Sequence, residues 1–233
     1  MTDAHCHVSC GDLSVRELLI GRDFFGIHPW ETLDETTGTS RALVPDVPVV
    51  PDVSFLAALR SKLLANPKAG VGEIGLDRLK VRDIPPLLRE VFESQLALAL
   101  ELRRPVVLHG AKCWGQVVAT IRKLTTHNSQ LTNFLFHGFS RSDGLIPEIV
   151  DLNGFISVGP AVLNDHAVNY RELVKKIPLD RLLVETDAVV GARVPTRPHI
   201  RDVLVKTADI LNLSAAELEK TTDENADRFL GAV

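Results

Sequence analysis

The chain has 233 residues, 45% of them hydrophobic and 24% charged, with a net charge of −4 and a pI near 6.1. That is enough chain for one core, and the acidic balance excludes the overall footprint of a non-specific nucleic-acid binder while leaving room for a local basic site. Three cysteines, Cys6, Cys10 and Cys113, fit no metal or disulfide spacing, no basic-then-apolar leader opens the chain, and no apolar run approaches the roughly 20 residues of a membrane span. The expected setting is the cytoplasm, without a membrane.

The first strand, residues 1–5, leads into Asp3-Ala-His-Cys-His7. In extended chain His5 and His7 point to one side and can share a target. Ser14, with Glu17 three residues on, has capping-box spacing and predicts a brief helix over Val15–Ile20. Residues 23–27 read as a strand closed by His28 and Pro29, with Trp30 next. Residues 31–52, with Pro45, Pro48 and Pro51, read as a long loop, a length often tied to function. Asp52 or Ser54 caps a helix carrying Phe55, Leu56, Leu59, Leu63 and Leu64. A strand over 68–72 stops at Glu73, and Asp77 and the basic residues Arg78, Lys80 and Arg82 follow. Pro86–Arg103 is a strong helix whose stripe is Leu88, Val91, Phe92, Gln95, Leu96, Ala99 and Leu102.

Strand 105–109 ends in His109, and Trp114–Leu124 is the next helix. Strand 132–136 precedes His137, and Asp143–Leu152 is helical. Strand 154–158, helix Asp165–Ile177 and strand 181–186 follow, the last running into Glu185-Thr186-Asp187. Two helices close the chain, 198–211 and 214–230, the second capped by Ser214 and Glu217. Continuous apolar strands alternating with helices predict a parallel sheet buried on both faces. The count is seven strands in one domain spanning 1–233, one short of a closed eight-stranded barrel.

His5, His7, His28, Glu73, His109, His137 and Asp187 all fall at or just past strand C-termini, which in a βα barrel is the active-site face. Singly each has an ordinary alternative. A strand-end histidine can be a hydrogen-bonded core residue, Glu73 a turn carboxylate and Asp187 a helix cap. Jointly they form a nitrogen and oxygen ligand set without thiolate, suited to Zn, Mn, Mg or a mixed pair. A carboxylate bridging two ions would there hold a hydrolytic water.

Several stretches together resemble the TatD-like metal-dependent hydrolases of the amidohydrolase superfamily. They are Asp3-Ala-His-Cys-His7, Gly26-Ile-His-Pro29, Gly72-Glu-Ile-Gly-Leu-Asp77, Pro105-Val-Val-Leu-His109, His137-Gly-Phe-Ser140, Leu183-Val-Glu-Thr-Asp187 and the tail Glu224–Phe229. The resemblance covers nearly the whole chain. It implies a distorted TIM-like (β/α) barrel, one or two divalent ions (Mg, Mn or Zn) and phosphodiester hydrolysis of the DNase or 3′–5′ exonuclease kind. It assigns His5, His7, Glu73 and Asp187 to one ion, Glu73, His109 and His137 to a second, and His28 to the neighbourhood of the phosphate. The substrate would be a nucleic-acid end or a small phosphodiester, with no obligate protein partner.

The chain departs from the family pattern in three places. The short spacing from His7 to His28 leaves no room for a full strand and helix, so the second barrel strand should be missing or rudimentary. Trp30 follows the motif proline where a histidine is common. Ala111, with Lys112 beside it, replaces a common basic residue. The mechanism this implies makes Asp187 and Glu73 the catalytic carboxylates, Asp187 taking the proton of the attacking water. Asp77 and Glu185 either orient histidines or are ordinary cap carboxylates. Lys112 and Arg141 are candidate phosphate contacts, and Arg78, Lys80, Arg82, Arg193 and Arg197 could complete a basic rim. Trp30 and Trp114 either stack on a base or wall the pocket. Two other functions fit the residues: a hydrolase of the same superfamily acting on a small phosphoester, amide or lactone, and a non-catalytic barrel that binds a metal or a partner. The first would favour a carbamylated lysine, but no lysine closes a predicted strand.

Overall fold

A computed structural model describes residues 1–32, 53–126, 132–189 and 199–231. Of the loop expected over 31–52, residues 31 and 32 belong to a short turn, Pro29–Thr32, and 33–52 lie outside the described residues, as do the Asp52 cap, Arg193 and Arg197. Eight strands occur among those described: β1 (Thr2–Cys6), β2 (Arg16–Leu19), β3 (Phe24–Phe25), β4 (Gly70–Asp77), β5 (Val106–Ala111), β6 (Phe134–Phe136), β7 (Gly154–Val158) and β8 (Leu182–Val184). The helices are α1 (Val53–Ala65), α2 (Pro86–Leu102), α3 (Trp114–Thr125), α4 (Ile146–Asp151), α5 (Val168–Val174), α6 (Ile200–Leu211) and α7 (Ala215–Leu230).

All strand pairs are parallel. β1 pairs with β2, and β3 to β8 pair in sequence order. Regular pairing stops at two joints. Between β2 and β3 it is reduced to one bridge, Ile20 with Phe24. Between β8 and β1 the backbones meet just past the strands, where Asp187 N–H donates to His5 C=O at 3.0 Å and His7 N–H to Ala188 C=O at 2.8 Å. The architecture is that of a distorted TIM barrel.

The expected helix at Val15–Ile20 is instead β2, so the described residues hold eight strands and not seven. Ser14 Oγ donates to Asp12, and the Glu17 carboxylate accepts from Ser9 Oγ and Cys10 N–H rather than from Ser14. A single helical turn fixes several dihedrals for one hydrogen bond, whereas Arg16–Leu19 gains a ready ladder along β1. The spacing argument survives in another form. β2 has four residues, and no helix separates it from the two residues of β3.

Ala4, Leu18, Phe24, Val107, Leu135, Phe155 and Leu183, one from every strand except β4, pack together inside the ring. β4 gives way there. A Cβ on Gly70 would stand 2.4 Å from the Phe24 ring. Ala226 and Phe229 of α7 close this cluster, Phe229 stacking on Phe24 at 5.8 Å. The outer layer is the larger core, where α2 buries Leu88, Val91, Phe92, Leu96 and Ala99 as its periodicity predicts. The capping box at Ser214 and Glu217 forms as expected, and His199 caps α6 by accepting from Arg201 N–H.

Candidate metal centre

The expected residues converge at one mouth of the ring, reached in slightly different ways than strand ends alone would give. His5 lies within β1, His109 within β5 and Glu73 in the middle of β4, whereas His137 follows β6 directly. The β4–β5 register shifts between Val71 and Ile74, and such irregularities re-aim side chains beside functional sites. Gly75 allows the close approach that follows. Its φ is +153° and a Cβ there would meet the His109 carbonyl oxygen at 2.0 Å.

Glu73 is buried at the centre, and its two oxygens face different histidines. Oε2 lies 3.2 Å from His7 Nε2 and 3.4 Å from His5 Nε2. Oε1 lies 2.5 Å from His137 Nε2, 2.6 Å from His109 Nδ1 and 3.5 Å from His28 Nε2. Asp187 Oδ1 completes the first group, 3.4 Å from His5 and 3.8 Å from His7. His28 therefore stands beside the second group, against the same Glu73 oxygen as His109.

Asp187 takes a left-handed backbone conformation with φ +47°, which costs a non-glycine residue about 1–2 kcal/mol. Asp3 sets up this turn. Its carboxylate accepts from Thr186 N–H at 2.9 Å and Thr186 Oγ at 2.6 Å, tying β1 to the residue before Asp187.

Asp77 orients His109. Its Oδ2 accepts from His109 Nε2 at 3.0 Å and from the Trp30 indole N–H at 2.6 Å. Glu185 does less for the His137 ring, from which it stands 3.9 Å away. It accepts instead from Gly138 N–H at 2.7 Å and Ser157 Oγ at 2.5 Å, fixing the backbone just after His137.

The electrostatics favour a cation. Burial would raise the Glu73 carboxyl, but the His137 charge and hydrogen bonds from His109, His137 and His28 hold it well below its usual range. Burial opposes charge on His5, yet Asp187 and Glu73 push that ring up to about 10. Burial likewise opposes charge on His109, and Asp77 and Glu73 push it up to about 9. Burial raises Glu185 to about 8.

The donor set fits divalent ions. Both ring nitrogens of fully buried His5 lack a hydrogen-bond partner among the described residues, a costly state for a buried polar atom. Ligands about 2.1 Å from one tetrahedral ion stand about 3.4 Å apart. The distances from His5 and His7 to Glu73 and Asp187, 3.2 to 3.8 Å, are near that size, whereas those from Glu73 Oε1 to His109 and His137 are hydrogen-bond lengths. His5, His7 and Asp187 form one group within ligating reach, and Glu73 enters two others, with His5 and His137 and with His28 and His109.

Three cavities of about 410, 620 and 700 Å³ share Asp187 at their edges. Lys112 and Arg141 line the 620 Å³ cavity together with His109 and His137, both with positive φ, +55° and +61°. Neither forms an ion pair with a described residue. Arg78 turns to the carbonyl of Arg82, and Lys80 lies over the Trp30 ring at 4.6 Å. Trp114 is buried against Phe136 and Phe139, which fits a wall and not a stacking platform.

Two residues that hold the site gave only faint sequence signals. Gln95, a polar residue inside an apolar stripe, accepts from Ile27 N–H at 2.7 Å and donates to Ile27 C=O at 3.2 Å, fixing the segment that carries His28. Asp3, a carboxylate in a buried strand, is the other. In each case the signal was a polar residue at a position the periodicity assigns to the core.

Among the described residues no helix is long and apolar enough to cross a membrane. Residues 21–231 match the family model described as TatD related DNase. A metal-dependent hydrolase of Haemophilus influenzae is 33% identical over 67% of this chain and 62% of its own length. The Bacillus subtilis metal-dependent hydrolase YabD is 29% identical over 68% of this chain and 64% of its own. The Klebsiella pneumoniae protein named 3′–5′ ssDNA/RNA exonuclease TatD is 28% identical over 88% of this chain and 75% of its own. The chain thus spans 61–64% of the length of several of the curated relatives it matches. Among solved structures, the TatD homologue YjjV of Escherichia coli shares the fold with a TM-score of 0.68 at 24% identity, over 94% of this chain and 78% of that one. By its motifs, its barrel and these matches, the chain belongs to the TatD-related DNase family.

Proposed function

We propose that the chain is a divalent-metal-dependent hydrolase that cleaves phosphodiester bonds, trimming nucleic-acid strands from the 3′ end, and that residues 1–233 work as one domain. The observation that carries this reading is the division of Glu73. One oxygen faces His5 and His7, the other His109 and His137. A carboxylate so divided suits a bridging ligand between two ions. In this reading His5, His7, Glu73 and Asp187 hold one ion, and Glu73, His109 and His137 hold the other. Bound Mg, Mn or Zn would lower the pKa of a water and polarise a phosphoryl oxygen.

The protein's own groups supply the rest. Asp187, 45% exposed at its side chain and bordering all three cavities, accepts the proton of the attacking water. Burial raises its carboxyl and the contact with His5 more than offsets that, so it stays ionised and ready. Lys112 and Arg141 reach the phosphate oxygens from the cavity wall, and His28 donates from the side of Glu73. The combined cavities exceed what a small ester needs, and the Klebsiella relative is named for single-stranded DNA and RNA. Glu73 stands where a small-molecule amidohydrolase would use a carbamylated lysine. The odd number of cysteines fits a reducing cytoplasm.

The test is metal-dependent digestion of a single strand labelled so that shortening from the 3′ end is visible, comparing wild type with Glu73→Ala and Asp187→Asn. Stepwise shortening that disappears in both variants supports the reading. Wild-type protein that holds stoichiometric metal yet cuts no strand overturns it and moves the chemistry to a small ester.

A further inference from the structure

Trp30 donates both of its N–H groups to the neighbourhood of one Glu73 oxygen. Its main-chain N–H donates to His28 Nδ1 at 3.1 Å. Its indole N–H donates to Asp77 Oδ2 at 2.6 Å, the oxygen that also receives His109 Nε2 at 3.0 Å. Asp77 has no freedom to turn, because its other oxygen accepts from the backbone N–H groups of Leu79 at 2.6 Å and Lys80 at 3.2 Å. The turn that carries Trp30 is itself closed, with Glu31 N–H on the His28 carbonyl at 2.9 Å and Thr32 Oγ on the Pro29 carbonyl at 2.8 Å.

The two hydrogen bonds have opposite consequences for the two rings. A neutral imidazole carries one proton, and the partner of one nitrogen decides the state of the other. His28 accepts at Nδ1, so its proton sits on Nε2, the nitrogen facing Glu73 Oε1 at 3.5 Å. His109 donates from Nε2 to Asp77, so Nδ1, which donates to the same Glu73 oxygen at 2.6 Å, is the nitrogen that would give up its proton to bind an ion. We propose that Trp30 is the positioning residue of this half of the site, sorting two adjacent histidines into a donor, His28, and a ligand, His109. The geometric grouping of His28 with Glu73 and His109 within ligating reach then does not make His28 a ligand. One face of the indole is already covered by Lys80 at 4.6 Å, so the ring serves the site more through its N–H than as a platform for a base.

This inference rests on the two-ion reading of the site, and the experiment separates the two. Mn or Zn is titrated calorimetrically into metal-free wild type, Trp30→Phe and Trp30→His. Two-bond ¹H–¹⁵N spectra of the histidine rings are recorded before and after loading. Partners that orient a ligand histidine are worth about 10–100-fold in metal affinity. Trp30→Phe, which keeps the ring and the main-chain N–H, should weaken one binding step about 10-fold and leave the other intact. Its kcat should fall with KM little changed. Trp30→His, which can return an N–H donor, should recover part of the loss. His28 should show a protonated Nε2 throughout, and His109 a metal-coupled Nδ1 once loaded. Trp30→Phe binding both ions as wild type does, or His28 Nε2 losing its proton to the metal, would overturn the inference. Wild type taking up no ion would overturn the two-ion reading, and the ligand role of His109 with it.

Discussion

The two sides of Glu73 are built differently. On the Oε2 side stand His5, His7 and Asp187. His5 has neither ring nitrogen hydrogen-bonded among the described residues, and its contacts with Glu73 and Asp187 are both 3.4 Å. On the Oε1 side, His109 is held by Asp77, Asp77 by Trp30 and two backbone N–H groups, and His28 by the Trp30 main chain. His109 and His28 are thus oriented by hydrogen bonds within the protein, whereas His5 at both nitrogens and His137 at Nδ1 are not. The contrast follows the strands. The Oε2 side rests on β1 and on the turn after β8, where regular pairing lapses, while the Oε1 side rests on β4 to β6, the continuous part of the sheet. Preorganisation costs nothing at the moment of binding, so the Oε1 side should take its ion with less rearrangement.

The largest effect should come from the residue common to both sides. Glu73→Ala should remove both steps from a metal-binding isotherm and reduce turnover to background, since water that loses its ion regains its ordinary high pKa. A variant that still binds two ions would erase the comparison. Next, Asp187→Asn and His7→Ala should abolish one metal step and leave the other within about twofold. Loss of both steps in either variant would mean that the sides are not separable. Asp77→Asn attacks the other side and should weaken only that step, by about 10–100-fold.

Metal removal should sharpen the contrast through pH. In the metal-free protein His5 is pushed up to about 10 and His109 to about 9, above the ordinary 6.5. Groups raised in the folded state stabilise fully below the unfolded value and lose that contribution as pH rises through the folded one. The melting temperature of the metal-free protein should therefore fall between pH 7 and pH 10. Metal affinity should move oppositely over the same range, because binding displaces those protons. A flat melting temperature would show that the two rings are neutral in the metal-free state.

The smallest effects belong to the rim. Lys112→Ala and Arg141→Ala should each raise KM about 5-fold and reduce the salt dependence of single-strand binding by about 0.7 in log–log slope, with metal binding unchanged. An unchanged slope would remove these side chains from the phosphate.

That the histidines and both carboxylates converge on one mouth was legible in the sequence because each sits on or shortly after a strand, where the βα pattern fixes direction. His5 and His7 alternate correctly, and Glu73 reaches the same point although it lies mid-strand and not at a strand end. What the sequence hid were features decided by distant partners. Ser14 and Glu17 mimic a capping box, yet Glu17 turns back to Ser9 and Cys10, and Arg16–Leu19 joins a neighbouring strand. The Trp30–Asp77 contact spans 47 positions and has no local signature. Trp114, placed by its strand end among stacking candidates, is claimed by Phe136 and Phe139 across the outer core.

The closure of the ring carries a consequence for the order of assembly. Beyond its pairing with β2, β1 gains partners from the far end of the sequence. Asp3 holds Thr186, Thr2 Oγ donates to Asp223 at 2.7 Å, the amino group of Met1 pairs with Asp223 and Glu219, and Arg16 pairs with Asp227. On the ribosome, where a chain grows at about 5–20 residues per second, His5 and His7 emerge before the other site residues yet gain these distant contacts only once residues beyond 220 have followed. The continuous sheet from β4 onward can form in the meantime. Of the site's imidazoles, the first two in the chain thus depend on the last contacts to be made available, and a metal taken up by the nascent chain would meet separate ligands instead of a finished centre.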